Sequence, residues 1–244
     1  MVQVNNLFKQ YKNADSPSVN HLSFAFEKGK IIGLLGPNGA GKTTTISILC
    51  GLIKEYQGEV KVLGLDVKSH AEEIKHLLGI VPQQIALYPE LSCKENLIYF
   101  GKLFNLKGKL LHDRISDLLQ QFGLDAHGNK QIKHFSGGMK RRANIIASLL
   151  NNPSLLILDE PTAGVDVQSR SMILQFLRAY NQKGNSIIYT SHLLDEAEAL
   201  CDEVLIIDKG EKVIHGTPVD IIKAHQTDNL ESLFLKLTGN KVRD

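Results

Sequence analysis

No apolar run in this 244-residue chain approaches the roughly 20 residues that a membrane-crossing helix requires. The longest, such as Ser154 to Leu158 and Val204 to Ile207, fall far short, so a chain that spans a membrane is not expected. Cysteine is scarce: Cys50, Cys93 and Cys201 stand alone, with no paired spacing, which argues against a disulfide framework and a thiolate zinc site. Nine histidines are present, but none falls in an HExxH spacing. Charge of one sign is lacking too. A formal net charge of +2 gives no basic face for gripping a polyanion, and no nucleic-acid partner is expected. The segment Met1 to Gln10 is not a charged stretch followed by an apolar run and a small-residue cleavage site, so no secretory signal is read and a cytoplasmic protein is expected. What remains is ordinary for a soluble globular protein: 43% hydrophobic and 22% charged residues, in a chain long enough for one large α/β domain or for a domain with a smaller insert.

Periodicity divides the chain into three stretches. Val2 to Tyr11, Val19 to Phe26 and Lys30 to Leu35 read as strands, the second because Leu22, Phe24 and Phe26 alternate with polar or small residues. A glycine-rich turn, a helix over Lys42 to Leu52, a strand within Gly58 to Gly64, a helix over His70 to Leu78 and a strand from Gly79 to Val81 follow, the last stopped by Pro82. From about Tyr88 to Phe135 only helices are expected. Ser92 and Glu95 have capping-box spacing, and Leu111, Ile115, Leu118, Leu119 and Phe122 form one apolar stripe ended by Gly123. The α/β alternation then resumes with Leu155 to Leu158, a helix over Val167 to Asn181, Ser186 to Thr190, a helix through Leu193 to Leu200, and Val204 to Ile207. A hairpin turn at Asp208 to Glu211 and helices over Pro218 to Ala224 and Asn229 to Leu237 close the chain. Apolar runs without alternation suit parallel strands covered on both faces.

The first chemical signal is Gly36, Pro37, Asn38, Gly39, Ala40, Gly41, Lys42 and Thr43, which fits GxxxxGK[ST] and lies between an expected strand and an expected helix. Glycines let the backbone turn so that its N–H groups face phosphate, and the helix that follows offers its positive N-terminus to the same anion. Lys42 is expected to reach the β- and γ-phosphates, and the Thr43 hydroxyl to hold Mg²⁺. The plain alternative is a glycine-rich turn with no ligand. A second signal is the buried strand ending in Asp159 and Glu160, which puts both acids at the carboxyl edge of a parallel sheet, where ligands bind in such folds. Alone, such a pair is usually a solvated loop. Downstream of a phosphate loop, Asp159 is expected to orient the Mg²⁺ shell through water and Glu160 to act as general base toward the attacking water.

Phe135, Ser136, Gly137, Gly138 and Met139 resemble the LSGGQ signature of the nucleotide-binding subunits of ABC transporters, and the likeness extends over essentially the whole chain. The resemblance implies an α/β fold, a P-loop NTPase core with a parallel sheet, an antiparallel β subdomain and a helical insert. It makes residues 1–244 a single ABC ATPase domain with a helical subdomain at about 88–150. It further implies that Ser136, Gly137 and Gly138 contact the γ-phosphate held by the opposite subunit, at a helix N-terminus. Gln83 matches the Q-loop glutamine that contacts Mg²⁺ and the attacking water, and Asp166, in the run Ala163 to Asp166, matches the D-loop across the dimer interface. His192 matches the switch histidine, and Tyr11 the aromatic that stacks on adenine. The implied nucleotide set also includes Thr44. Each has a plain reading: a polar surface glutamine, a turn opening the next helix, a structural histidine, a buried strand tyrosine. Lys140, Arg141 and Arg142 read most simply as a solvated helix face. Two departures stand out. Phe135 replaces Leu and Met139 replaces Gln, so a contact from a glutamine side chain to nucleotide across the dimer is not available.

The resemblance therefore implies an ATPase using ATP and Mg²⁺, peripheral on the cytoplasmic face of the cell membrane. It would work as a homodimer or heterodimer with a separate membrane-spanning permease. The run Leu230 to Gly239 and the stretch Ser136 to Arg142 resemble single-cassette subunits of drug, lipid and ion exporters, which points to export. The competing class is a soluble ABC ATPase acting on ribosomes or nucleic acid. Such proteins carry paired cassettes, zinc fingers or long coiled coils, none of which the sequence has.

Overall fold

The computed structural model describes residues 1–239, which form ten strands and nine α-helices arranged in two compact units, Met1–Lys75 with Ser186 onward, and His76–Asn185.

The first unit contains two sheets. In the antiparallel one, β1 (Val2–Lys9) pairs with both β2 (Val19–Phe26) and β4 (Gln57–Val62), and the short β5 (Leu65–Asp66) extends the edge. Its register places Val4 opposite both Phe24 and Val60, so the alternating apolar residues of three strands share one buried face. In the other sheet, β3 (Ile31–Leu35) runs parallel to β8 (Ser186–Thr190) and β9 (Glu203–Asp208), with β10 (Glu211–Gly216) antiparallel on β9. Every residue of β3 and β8 is buried, as unbroken apolar runs between covered faces require. Lys209 and Gly210 form the two-residue loop of the β9–β10 hairpin, both with positive φ, which suits the right-handed twist of the paired strands.

Most boundaries agree with the sequence reading to within a residue or two, and two of the larger differences have a clear physical cause. The first strand ends at Lys9 instead of Tyr11, because beyond it the chain turns and the Ala14 amide donates to the Tyr11 carbonyl. The helix α1 (Lys42–Leu49) stops three residues before Leu52. There the Gly51 amide bonds the Ile48 carbonyl and the Leu52 amide bonds the Ser47 carbonyl, with Gly51 at φ 68°, a closure that glycine accommodates without penalty. The unit is completed by most of α2 (Ala71–Leu77), whose last two residues fall in the second unit, and by α7 (Leu194–Leu200), α8 (Pro218–His225) and α9 (Leu230–Thr238).

In the second unit, β6 (Leu78–Val81) and β7 (Leu155–Asp159) pair in parallel, from Leu78 opposite Leu155 to Val81 opposite Leu158. The helices are α3 (Cys93–Leu103), α4 (Gly108–Gln121), α5 (Gly137–Leu149) and α6 (Val167–Gln182). At the start of α3 the Ser92 hydroxyl accepts from the Glu95 amide while the Glu95 carboxylate accepts from the Ser92 amide, the reciprocal cap that the spacing anticipates. Along α4 the expected stripe is the buried one, with Leu111, Ile115, Leu118, Leu119 and Phe122 all inside, and Gly123 follows at φ 60°.

Candidate functional site

The residues singled out by sequence fall in both units, and each group has its own geometry. In the first unit, β3 delivers the chain to Gly36 and α1 takes it up at Lys42. A Cβ on Gly36 would lie 2.3 Å from the Ile207 carbonyl oxygen, so only glycine passes there. Gly41 is the N-cap of α1 at φ 100°, ψ 5°; it offers no capping side chain, and the first turn holds no acidic residue. The opening amides therefore retain their affinity for an anion. The buried Lys42 curls back over the loop, its Nζ donating to the Gly36 carbonyl at 2.6 Å and the Pro37 carbonyl at 3.1 Å. Pro37 and Ala40 close the turn between them, with Asn38 and Gly39 exposed at its tip. Thr43 is exposed. Thr44 is half-buried, and its hydroxyl lies 3.4 Å from that of Tyr11.

Tyr11 is not the buried strand residue that was the alternative to stacking. It is 44% exposed, beyond the end of β1, with the Lys9 ammonium 5.1 Å from its ring centroid. His192 is also exposed, two residues past β8, in a turn where the Ser191 hydroxyl accepts from the Leu193 amide at 3.0 Å.

In the second unit β7 ends at the half-buried Asp159, and Glu160 follows, buried, with φ 50°. A left-handed backbone is uncommon for a residue other than glycine and is held only where its surroundings over-determine it. Gln83, two residues after β6, donates from Nε2 to Glu160 Oε2 at 2.8 Å. Ser136 caps α5 by accepting from the Met139 amide at 3.2 Å. Gly138 lies so close to the start of α6 that a Cβ would stand 2.3 Å from Ser169 Oγ and 2.6 Å from Asp166 Oδ2. Gly137 is exposed, and a Cβ there would meet nothing closer than the Gly164 carbonyl oxygen at 3.8 Å. Asp166 is the N-cap of α6, accepting from the Ser169 amide at 2.9 Å, and these bonds hold its carboxyl below the usual range.

The basic run after the signature is not a uniformly solvated face. Arg141 is buried, donating to the Pro82 carbonyl at 2.9 Å and the Gln83 carbonyl at 2.6 Å, and the half-buried Arg142 donates to the Phe122 carbonyl. Burial pulls the Arg141 guanidinium below its ordinary pKa, against the pull of the Glu160 and Asp159 carboxylates. A signal for this was present in the spacing, since Arg141 precedes the apolar Ile145 and Leu149 by one and two helical turns.

Among the described residues no group of three or more His, Cys, Asp or Glu side chains could cage a metal ion. A Mg²⁺ ion does not need one, because it keeps waters and binds through one or two protein oxygens plus substrate phosphates. The hydroxyl of Thr43, the carboxylate of Asp159 and the amide oxygen of Gln83 have that oxygen chemistry.

A family model described as ABC transporter matches residues 19–163. The chain belongs to the ABC transporter family. It is an ATP-binding subunit and an ABC ATPase. It is 45% identical over 221 residues to a linearmycin resistance ATP-binding protein of Bacillus subtilis (strain 168), covering 91% of this chain and 70% of that one. A Nod factor export ATP-binding protein I of Ralstonia nicotianae is 38% identical over 222 residues, which are 91% of this chain and 68% of the relative. Among solved structures, an ATP-binding subunit of an ABC transporter superposes with a TM-score of 0.87 at 28% identity, covering 97% of this cassette and 99% of the other chain. The α/β cassette expected from the sequence, with its parallel strands and antiparallel sheet, is thus the fold of this ABC ATPase. No described helix of the cassette is long and apolar enough to cross a membrane.

Proposed function

We propose that this cassette is the ATP-driven motor of an exporter whose membrane-spanning permease is a separate protein, and that it works from the cytoplasmic face as a peripheral subunit. The observation that carries the ATP-driven part is the opening of α1, where a glycine N-cap without a capping side chain precedes a buried lysine folded over the loop carbonyls. That combination is suited to a polyphosphate. Export is supported by relatives named for Nod factor export and linearmycin resistance.

In this reading, Gly36 to Thr44 wrap the phosphates, Lys42 neutralises the β- and γ-phosphates, and Tyr11 stacks on adenine. Thr43, Gln83 and, through water, Asp159 would hold Mg²⁺, which when bound neutralises phosphate charge. Glu160 takes the proton of the water whose oxygen attacks the γ-phosphorus as the bond to the leaving ADP oxygen breaks, and His192 contacts the γ-phosphate. Two cassettes close head to tail over two ATP molecules, Ser136, Gly137 and Gly138 of each meeting the γ-phosphate bound by the other, with Asp166 at the interface. A stabiliser supplied in trans is worth roughly 10³ to 10⁵ in rate. The helical subdomain at about 88–150 faces the permease, with Gln83 and the segment from about Gln84 to Asn105 passing the movement on. The exposed Tyr88, Tyr99 and Leu103 of that segment support a docking role, since large apolar side chains gathered at a surface mark interaction sites.

The test is an affinity pull-down of the Glu160→Gln form with ATP and Mg²⁺ from native membranes, followed by mass spectrometry. Recovery of one polytopic membrane protein is the expected result. Recovery of ribosomes or DNA-bound proteins without it would overturn the transporter reading.

A further inference from the structure

Arg141 is a buried cation with no place in the hydrolytic scheme just given. It sits one turn into α5, the helix that Ser136 opens, and its side chain leaves that helix to reach the end of β6. Two guanidinium nitrogens divide between successive carbonyls, Nη1 to Pro82 and Nη2 to Gln83. These carbonyls flank the Cα that carries the Gln83 side chain, whose Nε2 in turn donates to Glu160 Oε2. The result is one hydrogen-bonded chain, from the signature helix through Arg141 to the Gln83 backbone, and through the Gln83 amide to the Glu160 carboxylate. The rigid planar fork of an arginine can fix two carbonyls at once, whereas a lysine ammonium offers a single flexible point charge. Solvated arginines lose little by pointing into water. Burying this one has a desolvation cost that outweighs the pull of the nearby Glu160 and Asp159 carboxylates on its charge, and its Nε is buried without a hydrogen-bond partner, so the two carbonyl bonds are held at a cost.

We propose that Arg141 is a positioning residue for hydrolysis: it fixes the backbone at Pro82 and Gln83 so that the Gln83 amide holds the Glu160 carboxylate in place, and it ties that geometry to the helix that carries the signature. This inference rests on the reading of Glu160 as general base. Arg141 touches neither water nor phosphate in this role, and Gln83 is one of three residues proposed to hold Mg²⁺, so at saturating Mg²⁺ its substitution should act on turnover and change nucleotide affinity little. Misplacement of a reacting group by an ångström can cost about 100-fold in rate.

Steady-state ATPase kinetics would be measured on the full chain for wild type, Arg141→Met, Arg141→Lys and Glu160→Gln, alongside thermal melting and hydrogen exchange of the segment 82–86. The expected result is a 10- to 100-fold fall in kcat for Arg141→Met, with the ATP KM within about twofold of wild type, as loss of a preorganised contact predicts. Arg141→Lys, which keeps the charge and can still reach one carbonyl, should recover part of the rate and of the exchange protection. If Arg141→Met misfolds, Arg141→Lys is read alone, with an intermediate kcat and unchanged KM expected. The proposal is overturned if kcat stays within threefold of wild type, if the loss lies in KM, or if segment 82–86 exchanges no faster than before. Wild-type turnover by Glu160→Gln would instead sink the general-base reading, which keeps the two failures distinct.

Discussion

Alanine at Gly41 and alanine at Gly39 should differ in stability by an amount that isolates a single steric contact. Both glycines have positive φ, 100° and 75°. A left-handed backbone costs a residue with a Cβ about 1–2 kcal/mol, and the reduced freedom of the unfolded chain returns about 0.4–1 kcal/mol. At Gly39 nothing lies within 4 Å of the added methyl, so strain is the whole effect. A net loss of about 1 kcal/mol, or a midpoint ~2–4 °C lower, is expected for a chain of this length. At Gly41 the same methyl would sit 2.3 Å from the Ser18 carbonyl oxygen and 3.6 Å from the Gly210 Cα. Ser18 cannot simply move away, because its amide is bonded to the Lys9 carbonyl at the end of β1 and the next-but-one amide, that of Asn20, is bonded to the Gly210 carbonyl. Relief must come from displacing α1 or the strand, and overpacking of that kind adds about 1–3 kcal/mol. Gly41→Ala should therefore lose about 3 kcal/mol in all, or ~6–12 °C. The chain has no tryptophan, so urea and thermal unfolding are best followed by far-ultraviolet circular dichroism. Equal stability of the two variants, or a less stable Gly39→Ala, would refute the steric argument.

Three further outcomes follow from the structure. Glu160→Gln removes the proton acceptor while retaining an oxygen that can accept from Gln83 Nε2; kcat should drop by about 10² to 10⁴ with ATP binding retained, read by single-turnover hydrolysis beside equilibrium binding. The thiols Cys50, Cys93 and Cys201 are buried, and burial raises Cys93 to about 12 and Cys201 further. An aromatic disulfide reagent at pH 8 should thus label none of the three until denaturant is added, and fast labelling of the native protein would contradict the packing. Because the folded state keeps a thiol proton that the unfolded chain releases above its ordinary value of 9.0, Cys93 makes stability fall with rising pH between 9 and about 12. A Cys93→Ser variant with the same alkaline slope as wild type would rule that out.

The contrast between α4 and Arg141 explains how much of the molecule could be read from residues alone. Five apolar positions spaced at three and four residues admit one face for α4, so the buried stripe follows from the helical repeat with no knowledge of what it packs against. The strand, glycine-rich turn and helix around Gly36 to Thr43 are legible for a similar reason, because the turn residues and the flanking periodicities agree. Arg141 carries the opposite lesson. Successive helical residues turn about 100°, so Lys140, Arg141 and Arg142 cannot share one solvated face, and the middle one lines up with Ile145 and Leu149. Arg142 has the same spacing to Ile146 and Leu150, so periodicity indicates that part of the basic run turns inward, but not that Arg141 is the one buried or that it finds the carbonyls of Pro82 and Gln83, 59 and 58 residues earlier in the chain. The same holds for Gln83 and Glu160, which are 77 residues apart, and for the positive φ of Glu160. Strand and helix positions are set by local repetition, whereas these groups lie in the short segments just beyond strand ends, where no repeat constrains the backbone and long-range hydrogen bonds choose its conformation. Chemistry concentrated at such places is recognisable by residue type, and its working geometry depends on supports, like Arg141, whose role only the folded chain discloses.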